Sequence, residues 1–181
     1  MDYIRLTIDV RPKDWRDPRL ELRPSSIHGK GHFASEPFKA GEIVWVFGGT
    51  LFSREDIVAG RANERTLMRL DDNLWLGSTR ERPIDDDYYL NHSCDPNLWI
   101  TDTIKLTARR DIPAGIEVTM DYATHFDDHS WIMKNNCNCG CRDCRKIITG
   151  DDWKRKDLQE RYKGHFTPFL NKRIAQTAIF D

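Results

Sequence analysis

The stretch "NHSCDPN", residues 91–97, decides how this chain is read, and "CNCGCRDC", residues 137–144, is read against it. The sequence holds five cysteines. Cys137, Cys139, Cys141 and Cys144 crowd into the second stretch, while Cys94 stands alone inside the Asn-His-Ser motif. Four thiols so close together are poorly placed to pair with one another, and thiolates are good ligands for tetrahedral zinc. The overlapping spacings C-x-C-x-C and C-x-x-C leave two schemes open. Either the four clustered cysteines close the site alone, or three of them are joined by Cys94, so that one ion staples the tail of the chain to its middle.

Composition sets the bounds. At 181 residues the chain is about one domain long. Hydrophobic residues at 39% and charged residues at 31% belong to an ordinary globular protein. A net charge of -1 and a pI near 6.6 create no basic field toward nucleic acid, so no direct nucleic-acid partner is expected. "MDYIRLTIDVRPKDW", residues 1–15, scatters charges where a signal peptide would be apolar. No stretch approaches the roughly 20 apolar residues of a membrane span. The expectation is an intracellular protein, cytoplasmic or nuclear, with no membrane partner and with reduced thiols.

Along the chain, short apolar runs at 42–47, 74–76, 98–100, 104–108 and 116–122 are β-branched or aromatic and bounded by Gly, Pro or Asp, which predicts strands. "FKAGEIVWV" from Phe38 and "IPAGIEVTM" from Ile112 share an Ala-Gly turn that introduces a strand. Helical character gathers at the C-terminus. Leu158, Tyr162 and Phe166 recur at helical spacing behind a cap at Asp151 or Asp152, Gly164 and Pro168 end that helix, and a second short one follows from Pro168. The run Lys154, Arg155, Lys156 reads as a solvated helix face. Short strands followed by helices predict a β-rich α+β fold.

"IHGKGHFAS", residues 27–35, has glycines at 29 and 31 that allow a backbone to approach a ligand or another segment closely. Position 34 is alanine, so the dinucleotide fingerprint is absent, and so is a Walker lysine motif. By itself the pattern is a tight turn.

Read in order, "IHGKGHFAS", "YYLNHSCDPN" (88–97), "EVTMDY" (117–122) and "CNCGCRDC" resemble the SET-domain family, most of whose members are protein lysine methyltransferases. The resemblance covers roughly residues 20–150 and implies a SET domain over 20–124, a post-SET zinc segment over 125–150 and a helical extension over 151–181. It implies small β-sheets with a knot-like crossing of the "NHSC" and "DY" segments, an arrangement no strand pattern foretells. It also implies one zinc held by Cys94, Cys137, Cys139 and Cys144 in the C-x-C-x4-C spacing, with Cys141 left over.

The cofactor implied is S-adenosylmethionine, bound on one face, with a substrate lysine entering from the other through a narrow channel. The backbone of Lys30, Gly31 and His32 is expected along the cofactor, with Asn91 and His92 reading its polar groups. Tyr88 stands where many members carry a cofactor-contacting arginine. Tyr122 corresponds to the catalytic tyrosine, with Asp121 supporting the loop, and Tyr89, Met120 and Phe126 are expected in the substrate channel. Met120, two residues before the tyrosine, has no hydroxyl to anchor a water, which implies a product carrying more than one methyl group. The expected partner is a protein presenting a lysine, in a basic segment if the acidic pairs at 71–72, 85–87, 127–128 and 151–152 rim the channel. A SET-like binding module without catalysis and a SET-fold enzyme acting on a small molecule are the alternatives.

Overall fold

The computed structural model describes residues 9–83 and 89–177. Short strands dominate the first two thirds: β1 (Trp15–Arg16), β2 (Leu20–Pro24), β3 (Lys30–Ala34), β4 (Ile43–Val46), β5 (Thr50–Phe52), β6 (Met68–Asp71) and β7 (Leu74–Gly77). There follow β8 (Asn91–His92), β9 (Leu98–Ile100), β10 (Lys105–Ala108) and β11 (Thr119–Met120). Helix α1 (Arg54–Val58) lies between β5 and β6, and α2 (Lys156–Arg161) and α3 (Pro168–Thr177) form the tail.

The strands make four small sheets, in the orders β1-β4-β10-β9, β2-β3, β5-β7-β6 and β8-β11. All pairings are antiparallel except β8 with β11. The four runs expected as strands at 42–47, 74–76, 98–100 and 104–108 are β4, β7, β9 and β10. Val44, Trp45, Leu98 and Leu106 of β4, β9 and β10 are fully buried and form the main core with Phe38, Ile112 and Val118, while Leu74 and Leu76 of β7 pack in a second core with Met68 and Leu70.

The two similar turns meet each other. Phe38 and Ile112 exchange both backbone hydrogen bonds at 2.9 Å, and Gly41 and Gly115 take φ of +90° and +84° where each turn reverses. Left-handed backbone of that kind favours glycine. This pairing brings the start of β4 beside the approach to β11 and so fixes where the "DY" segment lies.

The tail departs from expectation at its start. Asp151 and Asp152 do not cap α2. The chain first makes a 3-10 turn at Asp152–Lys154, and Arg155, with no side-chain cap bond, precedes α2. Asp152 is instead drawn inward by Arg145 at 3.0 Å and Thr149 at 3.0 Å. Leu158, Tyr162 and Phe166 are buried as their spacing foretold, and Pro168 opens α3, where its missing N–H costs nothing. Among the described residues no helix is long and apolar enough to cross a membrane.

Candidate active site and cysteine cluster

Two two-residue strands position the site. Thr119 pairs with Asn91 and Met120 with His92 in the parallel ladder of β8 and β11, which sets the "NHSC" and "DY" segments side by side. The Asn97 side chain continues that ladder, accepting from Thr119 N–H at 2.8 Å and donating to the Glu117 carbonyl at 2.8 Å. The strand expected over 116–122 is therefore shorter than its apolar pattern. A side chain replaces part of its backbone partner, and Asp121 ends it by capping the 3-10 turn Tyr122–Thr124 through Ala123 N–H at 3.0 Å.

That cap turns Tyr122 out of the strand line. Its N–H donates to His92 Nδ1 at 3.2 Å and its hydroxyl donates to the Leu90 carbonyl at 2.9 Å. Burial, reinforced by Cys137 and Glu117, pushes the phenol above the ordinary tyrosine range, so it stays neutral at physiological pH. With Nδ1 accepting, the neutral His92 ring carries its proton on Nε2, 3.3 Å from Cys94 Sγ. Burial holds His92 down to about 4, with Asp121 opposing and Arg145 assisting, so the ring is uncharged.

The sulfurs of Cys94, Cys137, Cys139 and Cys144 all lie within 4.8 Å of one another. Zn–S bonds of about 2.3 Å in a tetrahedron separate sulfurs by about 3.8 Å, so this donor set fits zinc. Cys141 lies outside the set, its sulfur 3.5 Å from that of Cys139. Burial pushes Cys137 up to about 12 and Cys94 also up. Cys139 is held at about 6, its own burial overcome by the backbone N–H groups of Cys94 and Cys141.

Arg145, which follows Cys144, was not singled out by its motif, yet it joins three parts of the molecule. Its N–H donates to Cys94 Sγ at 3.3 Å, its guanidinium makes two 2.7 Å bonds to Asp121, and its Nε reaches Asp152. The Tyr162 hydroxyl adds a 3.1 Å bond to Asp121. Burial alone would favour the neutral acid, but Arg145 holds Asp121 ionised, below the usual carboxylate range.

On the side of the glycine turn, Asn91 Nδ2 lies 2.8 Å from the Lys30 carbonyl and 2.7 Å from Glu117 Oε1, with the His28 carbonyl and Ser25 Oγ at 3.2 and 3.3 Å. A Cβ on Gly31 would sit 2.0 Å from Glu117 Oε1 and 3.0 Å from Asn91 Nδ2, so a side chain there would push Glu117 off Asn91. Glu117 also accepts from Ser25 Oγ at 2.7 Å and anchors the turn. It stood inside a quoted motif without a role. His32 is buried edge-on to Trp45, with ring centroids 5.1 Å apart, and its Nε2 lies 3.3 Å from Arg16. The Lys30 ammonium lies 5.6 Å from the centre of the Tyr89 ring. Tyr89 thus sits with the turn, and Tyr88 lies outside the described residues.

Tyr122 opens onto a cleft of about 690 Å³, lined in part by Met120, Leu90, Phe47, His125, Phe126 and Trp131. Phe126 stacks on Trp131 at 4.5 Å and meets Tyr122 edge-on at 5.5 Å. His125 lies 4.2 Å from Phe126 and 5.6 Å from Tyr122. Burial brings His125 down to about 3, with Asp121 opposing, so it too is neutral. The aromatic density of "YATHFDDHSW" was the sequence signal for His125 and Trp131. Of the acidic pairs, Asp71 and Asp72 face Lys172 at 3.9 and 3.2 Å, and Asp127 faces Arg69 and Arg173 at 3.0 and 3.5 Å. Asp151 pairs with Lys154, Asp128 lines the cleft, and residues 85–87 lie outside the described residues.

A family model described as the SET domain matches residues 29–123, and the chain belongs to that family. The histone-lysine N-methyltransferase trithorax of Drosophila virilis is 32% identical over 137 residues, 68% of this chain and 3% of that protein. The histone H3-lysine(4) N-trimethyltransferase ATX1 of Arabidopsis thaliana is 32% identical over 145 residues, 72% of this chain and 13% of that protein. The chain thus spans a small fraction of the length of these relatives. Among solved structures, KRYPTONITE in complex with mCHG DNA and SAH superposes with a TM-score of 0.54 at 24% identity, covering 71% of this chain and 28% of that one. The methyltransferase domain of human SETMAR gives 0.57 at 17% identity, covering 71% and 57%. The fold is a β-rich SET fold.

Proposed function

We propose that this chain is an S-adenosylmethionine-dependent methyltransferase acting on the side-chain amine of lysine in a protein. The observation that carries the reading is Tyr122. It is fixed at both ends between the ladder that holds Asn91 and His92 and an aromatic cleft wide enough for an extended side chain. The relatives named as histone-lysine methyltransferases, and a structural neighbour solved with SAH, support it.

When bound, S-adenosylmethionine supplies an electrophilic methyl group. The residues of the chain do the rest. Asn91 and Glu117 hold the turn at Lys30 and Gly31, the segment that would meet the cofactor. A free lysine amine has a pKa of about 10.4 and must lose its proton to attack. The rings of Phe126, Trp131 and Tyr122 exclude water, which disfavours the ammonium and aids that loss. Tyr122, its hydroxyl donating to Leu90, keeps oxygen lone pairs for orienting the amine in line with the methyl group, and being neutral it serves as no base. One zinc ion on Cys94, Cys137, Cys139 and Cys144 would fix the post-SET segment against this site, with His92 and the Arg145 N–H as hydrogen-bond donors to Cys94.

The test is incubation with isotopically labelled S-adenosylmethionine and a cell lysate, followed by mass spectrometry. Label on lysine side chains of proteins is expected. Failure to take up the cofactor would leave a binding module, and label confined to small metabolites would point to a small-molecule enzyme.

A further inference from the structure

His125 is used by nothing described so far. Its Nδ1 is buried and makes no hydrogen bond among the described residues, whereas nearly all buried polar atoms are partnered. The ring lines the same cleft as Tyr122 and sits among Phe126 at 4.2 Å, Tyr122 at 5.6 Å and Phe47 at 6.4 Å. Phe126 and Phe47 offer it no polar atom, and the proton of the Tyr122 hydroxyl is already given to Leu90. A nitrogen left unsatisfied at the wall of a ligand-sized cleft points to a partner that arrives with the substrate. The neutral imidazole repels no incoming cation, and in the tautomer protonated on Nε2 its Nδ1 has a lone pair to share.

The number of N–H groups on the substrate gives this lone pair a selective effect. A neutral lysine amine whose own lone pair faces the methyl donor has two N–H groups. Each transfer forms an N–CH3 bond as the S–CH3 bond of the sulfonium donor breaks, leaves a thioether, and releases one N–H proton to solvent. Monomethyl-lysine therefore offers one N–H, and dimethyl-lysine offers none. Dimethyl-lysine leaves the ring nitrogen unpaired, as it is before any substrate arrives, so only lysine and monomethyl-lysine gain the hydrogen bond.

Resting on the methyltransferase reading above, we propose that His125 is a specificity-determining residue of the amine site. Its imidazole accepts a hydrogen bond from lysine or monomethyl-lysine, and so favours the first two methyl transfers over the third. Met120 leaves the width for a second methyl group, and His125 sets the stop.

The experiment uses the zinc-loaded full chain and a lysine-rich synthetic peptide in unmodified, monomethyl and dimethyl forms. His125→Phe keeps a ring but removes the acceptor, and should raise kcat/KM on the dimethyl peptide relative to the unmodified one by about tenfold, the worth of one hydrogen bond. His125→Asn, which keeps an acceptor, should stay near the wild-type ratio. An unchanged ratio in His125→Phe overturns the proposal. A second readout needs neither turnover nor a variant: the imidazole 15N resonance of His125 should move on adding n-butylamine and stay still on adding butyltrimethylammonium. Equal response to both, or to neither, also overturns it. A selective 15N response in a protein that methylates none of the peptides would uphold the amine contact and reject the methyltransferase reading.

Discussion

Tyr122 owes its position to neighbours on both sides in sequence and across the ladder. Asp121 caps the turn that begins at Tyr122, His92 accepts its N–H, and Leu90 accepts its hydroxyl proton. Removing only that hydroxyl tests the role without dismantling the support. Tyr122→Phe should lower kcat by about 10²–10³-fold, the usual loss when one preorganised polar group leaves a catalytic site. The lost bond to Leu90 is worth only about 1 kcal/mol, so the melting temperature should move little. Cofactor binding by calorimetry should be near wild type. A Tyr122→Phe enzyme with ordinary turnover would remove the tyrosine from this role.

At the level of elements, the cysteine segment is a turn closed by Cys137 N–H on the Lys146 carbonyl, with Lys146 itself at a left-handed φ of 64°. This closure points Cys137, Cys139 and Cys144 toward Cys94 at the end of β8. We expect one zinc per chain. Elemental analysis should find zinc unchanged in Cys141→Ser and reduced in Cys94→Ser. The opposite pattern would mean that the cluster closes on itself. Because Arg145 follows Cys144 and holds Asp121 with two 2.7 Å bonds, metal loss at one end is felt at the residue before Tyr122.

Across the whole molecule, the C-terminal helices pack behind the site and line no part of the cleft. Trp153, Leu158, Tyr162, Phe166, Phe169 and Leu170 form a core with Ala123, the residue after Tyr122. Tyr162 reaches Asp121, and Arg161 donates to the Cys94 carbonyl at 3.0 Å. Leu158→Ala, which touches neither the cleft lining nor the cysteines, should cost about 2–5 kcal/mol in denaturant unfolding. Turnover should fall as well, because the tail supports Asp121 and Ala123. Full turnover alongside that loss of stability would show that the tail only stabilises the fold.

The motif order determined the family, and the short β-branched runs the β-rich class, because both depend on local residue types. It left the zinc ligands to the resemblance, since two overlapping cysteine spacings are chemically equal until Cys94 is brought within 4.8 Å of three others. It placed the strand at 116–122 too long, because nothing in its apolar pattern reveals that Asn97 stands in for a backbone partner. It gave Asp152 a capping role that Arg145 overrides. Arg145, Glu117 and His125 have contacts that their residue types alone do not reveal. Each of these turns on a contact between residues far apart in the chain, or on the emptiness around one nitrogen. Such contacts exist only once the core has closed, so only the tertiary structure could decide them.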